Sequence, residues 1–193
     1  MDGKQETTKQ SERKKNPLLI PFVIALIGVL LLIATLFLPF ASATKEYREH
    51  LQKYSEEMYD EEINMTNGDA VNISLFEFGK MYAAAANLGF EKSIAITCLV
   101  IIAMFALFVI LTTLFAVLKK PIVTLIFDFL SFSIFLLIKW DFKDRGVLPS
   151  SRYDWGFAEF VCYIGFTVVV VGAVLMLVAK IKAKHQRKVS VTE

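Results

Sequence analysis

The chain has 193 residues, 55% of them hydrophobic, and a formal net charge of +2. A soluble domain of this length builds one core and has no need of the long uninterrupted apolar runs found here, because a run of about 20 helical residues is what a bilayer core of about 30 Å requires. The composition therefore excludes an ordinary soluble domain, and no nucleic-acid partner is expected.

Residues 1–15 are polar and charged, lack apolar periodicity and read as a disordered tail. Asn16 is a candidate cap and Pro17 suits the first helical position, so a first transmembrane helix is expected within 16–44, running to about Phe40. A rival reading is a cleaved signal peptide, since a basic stretch, an apolar stretch and Ala41-Ser42-Ala43 follow one another. The apolar stretch is longer than the 7–15 residues of a typical signal core, which favours a retained helix.

Residues 45–92 hold ten acidic and five basic side chains and form the largest polar segment. Tyr47, Leu51, Tyr54 and Met58 follow helical spacing, with Glu49, Lys53, Glu56 and Glu57 opposite, so an amphipathic helix is expected to continue from the first span. Asn67-Gly68 signals a turn. Ser74 with Glu77 is a capping box that starts a second helix, Leu75 to Ala86, and Asn87 and Gly89 mark a bend after it. The whole 45–92 segment is thus expected to be mainly helical and extracytoplasmic.

A second transmembrane helix is expected over 93–118 and a third over 121–138, joined only by Lys119-Lys120, which makes them antiparallel neighbours. Residues 139–157 are expected to be an outer loop carrying Trp140, Tyr153 and Trp155, aromatics suited to a membrane boundary. The fourth transmembrane helix is expected over 158–179, with a basic cytoplasmic tail over 180–193. That tail reads as a topology determinant, or as a contact for anionic lipid. The fold class expected is all-α: a multi-pass cell-membrane protein with a four-transmembrane-helix bundle.

Orientation follows from the basic residues. The N-terminal tail, Lys119-Lys120 and the C-terminal tail together carry twelve Lys and Arg in short flanks, against nine spread over the longer remainder. The positive-inside rule then places both termini in the cytoplasm and residues 45–92 outside. Asn64-Met65-Thr66 and Asn72-Ile73-Ser74 are glycosylation sequons on that outer side, although Ser74 is also the proposed cap.

One ionisable residue breaks the apolar runs. Asp128 lies seven residues past Pro121, about 10 Å along a helix, and Thr124 and Ser131 share its face. A charge in mid-membrane costs roughly 2.5–3.5 kcal/mol on insertion scales, so this acid should face other helices or stay protonated. Its role is packing, assembly with a cation of another subunit, or proton or cation handling. No Lys or Arg lies in the other runs, and the other mid-run polar candidates are Thr35 and Thr97.

Ala158, Gly165, Gly172 and Ala179 recur every seven residues and predict a small-residue seam on the fourth helix where another helix packs closely. Glu159 is placed to pair with Lys139 or Arg152 at the outer boundary. Cys98 and Cys162 lie in apolar runs and read as buried free thiols. His50 and His185 are isolated, and neither metal nor cofactor is expected.

The layout resembles that of claudin-type tetraspan proteins: four helices, cytoplasmic ends and a large first outer loop. That family's outer loop carries a Trp and a cysteine pair, and residues 45–92 contain neither, so the resemblance is one of topology. The function expected is non-enzymatic: an accessory, assembly or sensor component that sits in the bilayer and binds a membrane-protein partner, or another copy, through its acidic outer segment. The alternative is a small transporter or ion-conducting oligomer using Asp128.

Overall fold

A computed structural model describes residues 18–89 and 91–189, with side chains through residue 184. The expected disordered tail over 1–15 and the Asn16-Pro17 helix start lie outside the described residues. The fold is mostly helical, with two small antiparallel sheets.

Helix α1 covers Leu19–Thr35 and is 17 residues, about 26 Å, long. It ends earlier than the sequence suggests. Pro39 disfavours a helical conformation at Leu38 and begins strand β1, Pro39–Ala43. The expected continuous helix from the first span into residues 45–58 is therefore corrected: a strand intervenes. Ala41 and Ala43, the small residues of the supposed cleavage site, are buried in that strand.

Helix α2 covers only Lys45–Lys53. Leu51 is buried and Tyr47 half-buried, as the helical spacing predicts, but Tyr54 and Met58 fall beyond the helix and are exposed. The chain then forms a hairpin of β2, Met58–Asp60, and β3, Met65–Thr66. The Asn67-Gly68 turn folds back on it: Asn67 N–H donates to Glu57 O at 2.9 Å, and Gly68 N–H to Ser55 O at 3.0 Å. A 3₁₀ turn, Asp69–Val71, leads into β4, Asn72–Ser74. The mainly helical outer segment is thus corrected to a mixed one. The local reason is the run of acidic and turn-forming residues between 55 and 69, which favours turns and a hairpin over a helix.

The capping box forms as read: Glu77 N–H donates to Ser74 Oγ, and Ser74 N–H donates to the Glu77 carboxylate at 2.7 Å. It starts α3, Leu75–Leu88, which ends at Gly89 in the left-handed conformation. Three long apolar helices follow. They are α4, Lys92–Val117; α5, Pro121–Asp144; and α6, Ala158–Val189. Each is long and apolar enough to cross a membrane, whereas α1 is a shorter apolar helix. Pro121 occupies the first turn of α5, where its missing N–H costs nothing. Helix α5 runs six residues into the expected outer loop, and α6 extends through most of the expected tail.

Strand β5, Tyr153–Trp155, lies between α5 and α6. The larger sheet has the order β4-β1-β5, with Ala41 opposite both Ile73 and Trp155. The strand hidden in the first apolar run is therefore the centre of the sheet, tying β4 to the α5–α6 connection. Phe40, fully buried, makes edge-on contacts with Phe135, Phe142 and Trp155. Each such aromatic pair adds about 0.5–1.5 kcal/mol beyond area burial. Among the helices, α1 packs mainly on α6 and also on α4, while α5 packs on α4 and α6.

Candidate functional site

Helix α5 buries Thr124, Asp128 and Ser131 on one face, as their spacing requires; Asp128 is 2% exposed. The two hydroxyls do not serve the acid. Thr124 donates to Lys120 O at 3.0 Å and Ser131 to Phe127 O at 2.8 Å, each one helical turn back. Asp128 Oδ1 is buried and has no hydrogen-bond partner among the described residues.

Thr112 on α4 is a buried polar neighbour that sequence reasoning missed. Its hydroxyl lies 3.5 Å from Ser131 Oγ and bonds Phe108 O. The tight Lys119-Lys120 turn held the signal, because residues at comparable distances from it face each other. Phe115 stacks on Phe127 with centroids 5.3 Å apart, and Cys98 Sγ meets Asp141 Oδ2 at 3.8 Å by the same rule. Thr97 is exposed and bonds Ser93 O, while Thr35 is buried and bonds Leu32 O.

Asp128 also lines a groove of about 520 Å³ between α5 and α6. Phe129, Phe132, Tyr163 and Phe166 supply its aromatic wall, and Thr167 stands opposite. The Thr167 hydroxyl is taken by Tyr163 O at 2.8 Å.

The seam on α6 meets α1. A Cβ on Gly172 would lie 2.4 Å from Ala25 N, and one on Gly165 would lie 2.8 Å from Leu32 Cδ2. Ala158 is fully buried and Ala179 half-buried. The reciprocal small residue on α1 is Gly28, whose Cβ would fall 2.6 Å from Val169 N. It was legible as the lone glycine of the first apolar run.

Polar groups gather at the opposite end of α5 from Lys120. Lys139 pairs with Glu159, the first of the two expected partners, and also donates to Tyr163 OH at 3.2 Å. Arg152 instead lies over the Tyr47 ring at 5.4 Å. Arg145 donates to Asp141 through Nε at 3.0 Å and to Tyr82 OH at 2.9 Å, joining α5 to α3. Burial opposes the Arg145 charge, but the bonds to Asp141 and Tyr82 outweigh it and hold the guanidinium above its ordinary range. Asp141 and Arg145 are an i, i+4 pair, unreadable once 139–157 is taken as loop. Cys98 and Cys162 are buried free thiols, and the described residues contain no His, Cys, Asp and Glu group placed to hold a metal.

Tyr153 on β5 ties the sheet to the Asp69–Val71 turn by donating to Ala70 O at 2.8 Å. Burial first, then the neighbouring Tyr59, raises its phenol well above the ordinary 10.0. A folded pKa above the unfolded one means that stability is complete below about pH 10 and falls as pH rises beyond it. Tyr47 and Tyr82 are raised in the same direction, each chiefly by burial. Tyr153→Phe is expected to cost about 1–2 kcal/mol at neutral pH through the lost hydrogen bond. It should also make the alkaline loss shallower. Denaturant midpoints at about pH 7 and about pH 10.5 measure both; an unchanged alkaline slope would show that this phenol ionises freely in the fold.

No known protein family, curated protein or solved structure matches this chain.

Proposed function

We propose that the protein is a four-transmembrane-helix bundle of the cell membrane with cytoplasmic termini. In this reading its role is non-enzymatic, as an accessory, assembly or sensor component that binds a partner through its acidic outer segment. Support for α1 as the fourth span comes from its outer face. Ile20, Ile27 and Leu30 are each at least half exposed, while Ala25, Val29 and Leu32 are fully buried against the other helices. Apolar side chains turned outward in this way suit lipid.

The observation that carries the partner reading is the state of the outer acids. Glu46, Glu49, Glu56, Glu57, Glu61 and Glu62 are exposed, and the two ion pairs among the described residues use none of them. A small folded platform of sheet, hairpin and α2 therefore holds them at fixed positions with their charge unspent. A basic surface on another protein would meet them with electrostatic complementarity that sets on-rate and specificity.

Purification in mild detergent, with the co-purifying proteins identified, tests this. A specific partner should be retained by the wild-type chain and lost from a variant carrying Glu56→Gln, Glu57→Gln, Glu61→Gln and Glu62→Gln. Equal recovery from both removes the acidic segment as the contact. The transporter reading has one observation in its favour, the unpartnered Asp128 carboxylate. It calls for a wet polar path, and the groove beside Asp128 is chiefly aromatic and aliphatic.

A further inference from the structure

We propose that the groove between α5 and α6 binds a lipophilic amine in its protonated form, with the ammonium N–H donating to the Asp128 carboxylate. Three observations lead there. The first is the unmet acceptor. Asp128 is 98% buried and lines the groove, yet Oδ1 receives no hydrogen bond among the described residues. Burying a polar group without a partner is unfavourable, because the water it gives up is not replaced. The nearby hydroxyls offer no relief, because Thr124, Ser131 and Thr112 each donate to a carbonyl of their own helix.

The second observation concerns where a cation would come from. No Lys or Arg occurs in 16–44, 93–118, 121–138 or 160–179. Lys119 lies over the Phe22 ring and Lys180 donates to Lys119 O, so both stay at the α4–α5 turn. Asp128 is eight residues from Lys120, about 12 Å along the helix. Neither this chain nor a second copy brings a basic side chain of its spans to that depth.

The third observation is the shape of the site. A volume of about 520 Å³ falls inside the range of small-molecule sites, about 300–1,000 Å³. Phe129, Phe132, Tyr163 and Phe166 give it aromatic walls, which attract a cation at the ring face and stack against an apolar body. A partner helix fits poorly, since close helix approach needs small residues. The small residues of α6, Gly165 and Gly172, are already occupied by α1. A lipid acyl chain would fill the volume and leave Oδ1 unmet. This site does not depend on the acidic outer segment or on its partner.

The test is saturation binding of tritiated imipramine, an aromatic tertiary amine, to the full chain in phosphatidylcholine nanodiscs, with empty nanodiscs subtracted. Wild type should bind saturably with one site per chain. Asp128→Asn should weaken binding at least tenfold, and Asp128→Glu should stay within a few fold. Thr167→Trp fills the groove from an exposed position on α6 and should abolish binding while leaving the carboxylate in place. It keeps the test decisive should an Asp128 variant fail to fold. Iminodibenzyl, the same ring system without the amine, should not compete. Uptake no greater than in empty nanodiscs, equal affinity in Asp128→Asn, undiminished binding in Thr167→Trp, or equal competition by iminodibenzyl would each overturn the proposal.

Discussion

Gly156→Ala is expected to take apart the β4-β1-β5 sheet while leaving the long helices associated. Gly156 follows β5 directly, and its N–H donates to Phe40 O at 2.8 Å. A Cβ there would lie 2.2 Å from Pro39 O and 2.7 Å from Pro39 C, well inside contact distance. The obstacle is main chain, so no side-chain rotation relieves it. Strand β1 cannot retreat either, because it is hydrogen-bonded on both edges, to β4 and to β5. Overpacking that side chains absorb costs about 1–3 kcal/mol, and a clash of the new Cβ with main chain should exceed that. Amide hydrogen exchange over 39–43 and 153–155 reads the effect. Protection there should collapse in the variant and persist in mid-α4. Wild-type protection in both strands would mean that β5 and β1 do not approach as described.

Gly172→Leu is expected to separate α1 from α6. The added Cβ would meet Ala25 at N, Cα and Cβ, all within 2.8 Å, before the rest of the leucine is considered. Gly28 and Gly165 face the same interface, so the two backbones are close along much of α1 rather than at one point. Movement of α1 would also drag on Phe40 and the sheet four residues beyond the helix end. The expected loss is several kcal/mol, more than the usual overpacking cost of about 1–3 kcal/mol. Gly172→Ala should show a smaller effect of the same kind. Thermal unfolding in detergent, followed by size-exclusion chromatography, measures both variants. Normal expression with an unchanged midpoint for Gly172→Leu would sink the close seam.

These two glycines differ in how visible they are in the sequence. Gly172 sits in a period-seven pattern of small residues, which is a packing signal in an apolar helix. Gly156 has no pattern around it. Its constraint comes from Pro39, 117 positions earlier in the chain, and only the folded sheet brings the two together. Asp128 falls between these cases. Its misfit with an apolar run was plain, and so was the face it shares with Thr124 and Ser131. That those hydroxyls bond their own helix instead, and that an aromatic groove opens beside the acid, depended on how α4 and α6 pack around α5.

The sequence by itself determined the three long apolar helices, the tight antiparallel turn at Lys119-Lys120, the start of α3 and the anomaly at Asp128. Each is a local matter of hydrophobic run length, turn length, capping chemistry or the cost of a charge in lipid. Tertiary structure decided the rest. Strands of three to five residues are too short to carry a readable alternation, so β1 passed for helix and β5 for loop. Their identity rests on hydrogen bonds between segments about 30 and 110 residues apart. The length of α1, the extension of α5 to Asp144, the Arg145–Asp141–Tyr82 contact and the groove at Asp128 follow from that assembly, because each depends on which surfaces meet rather than on any one segment's composition.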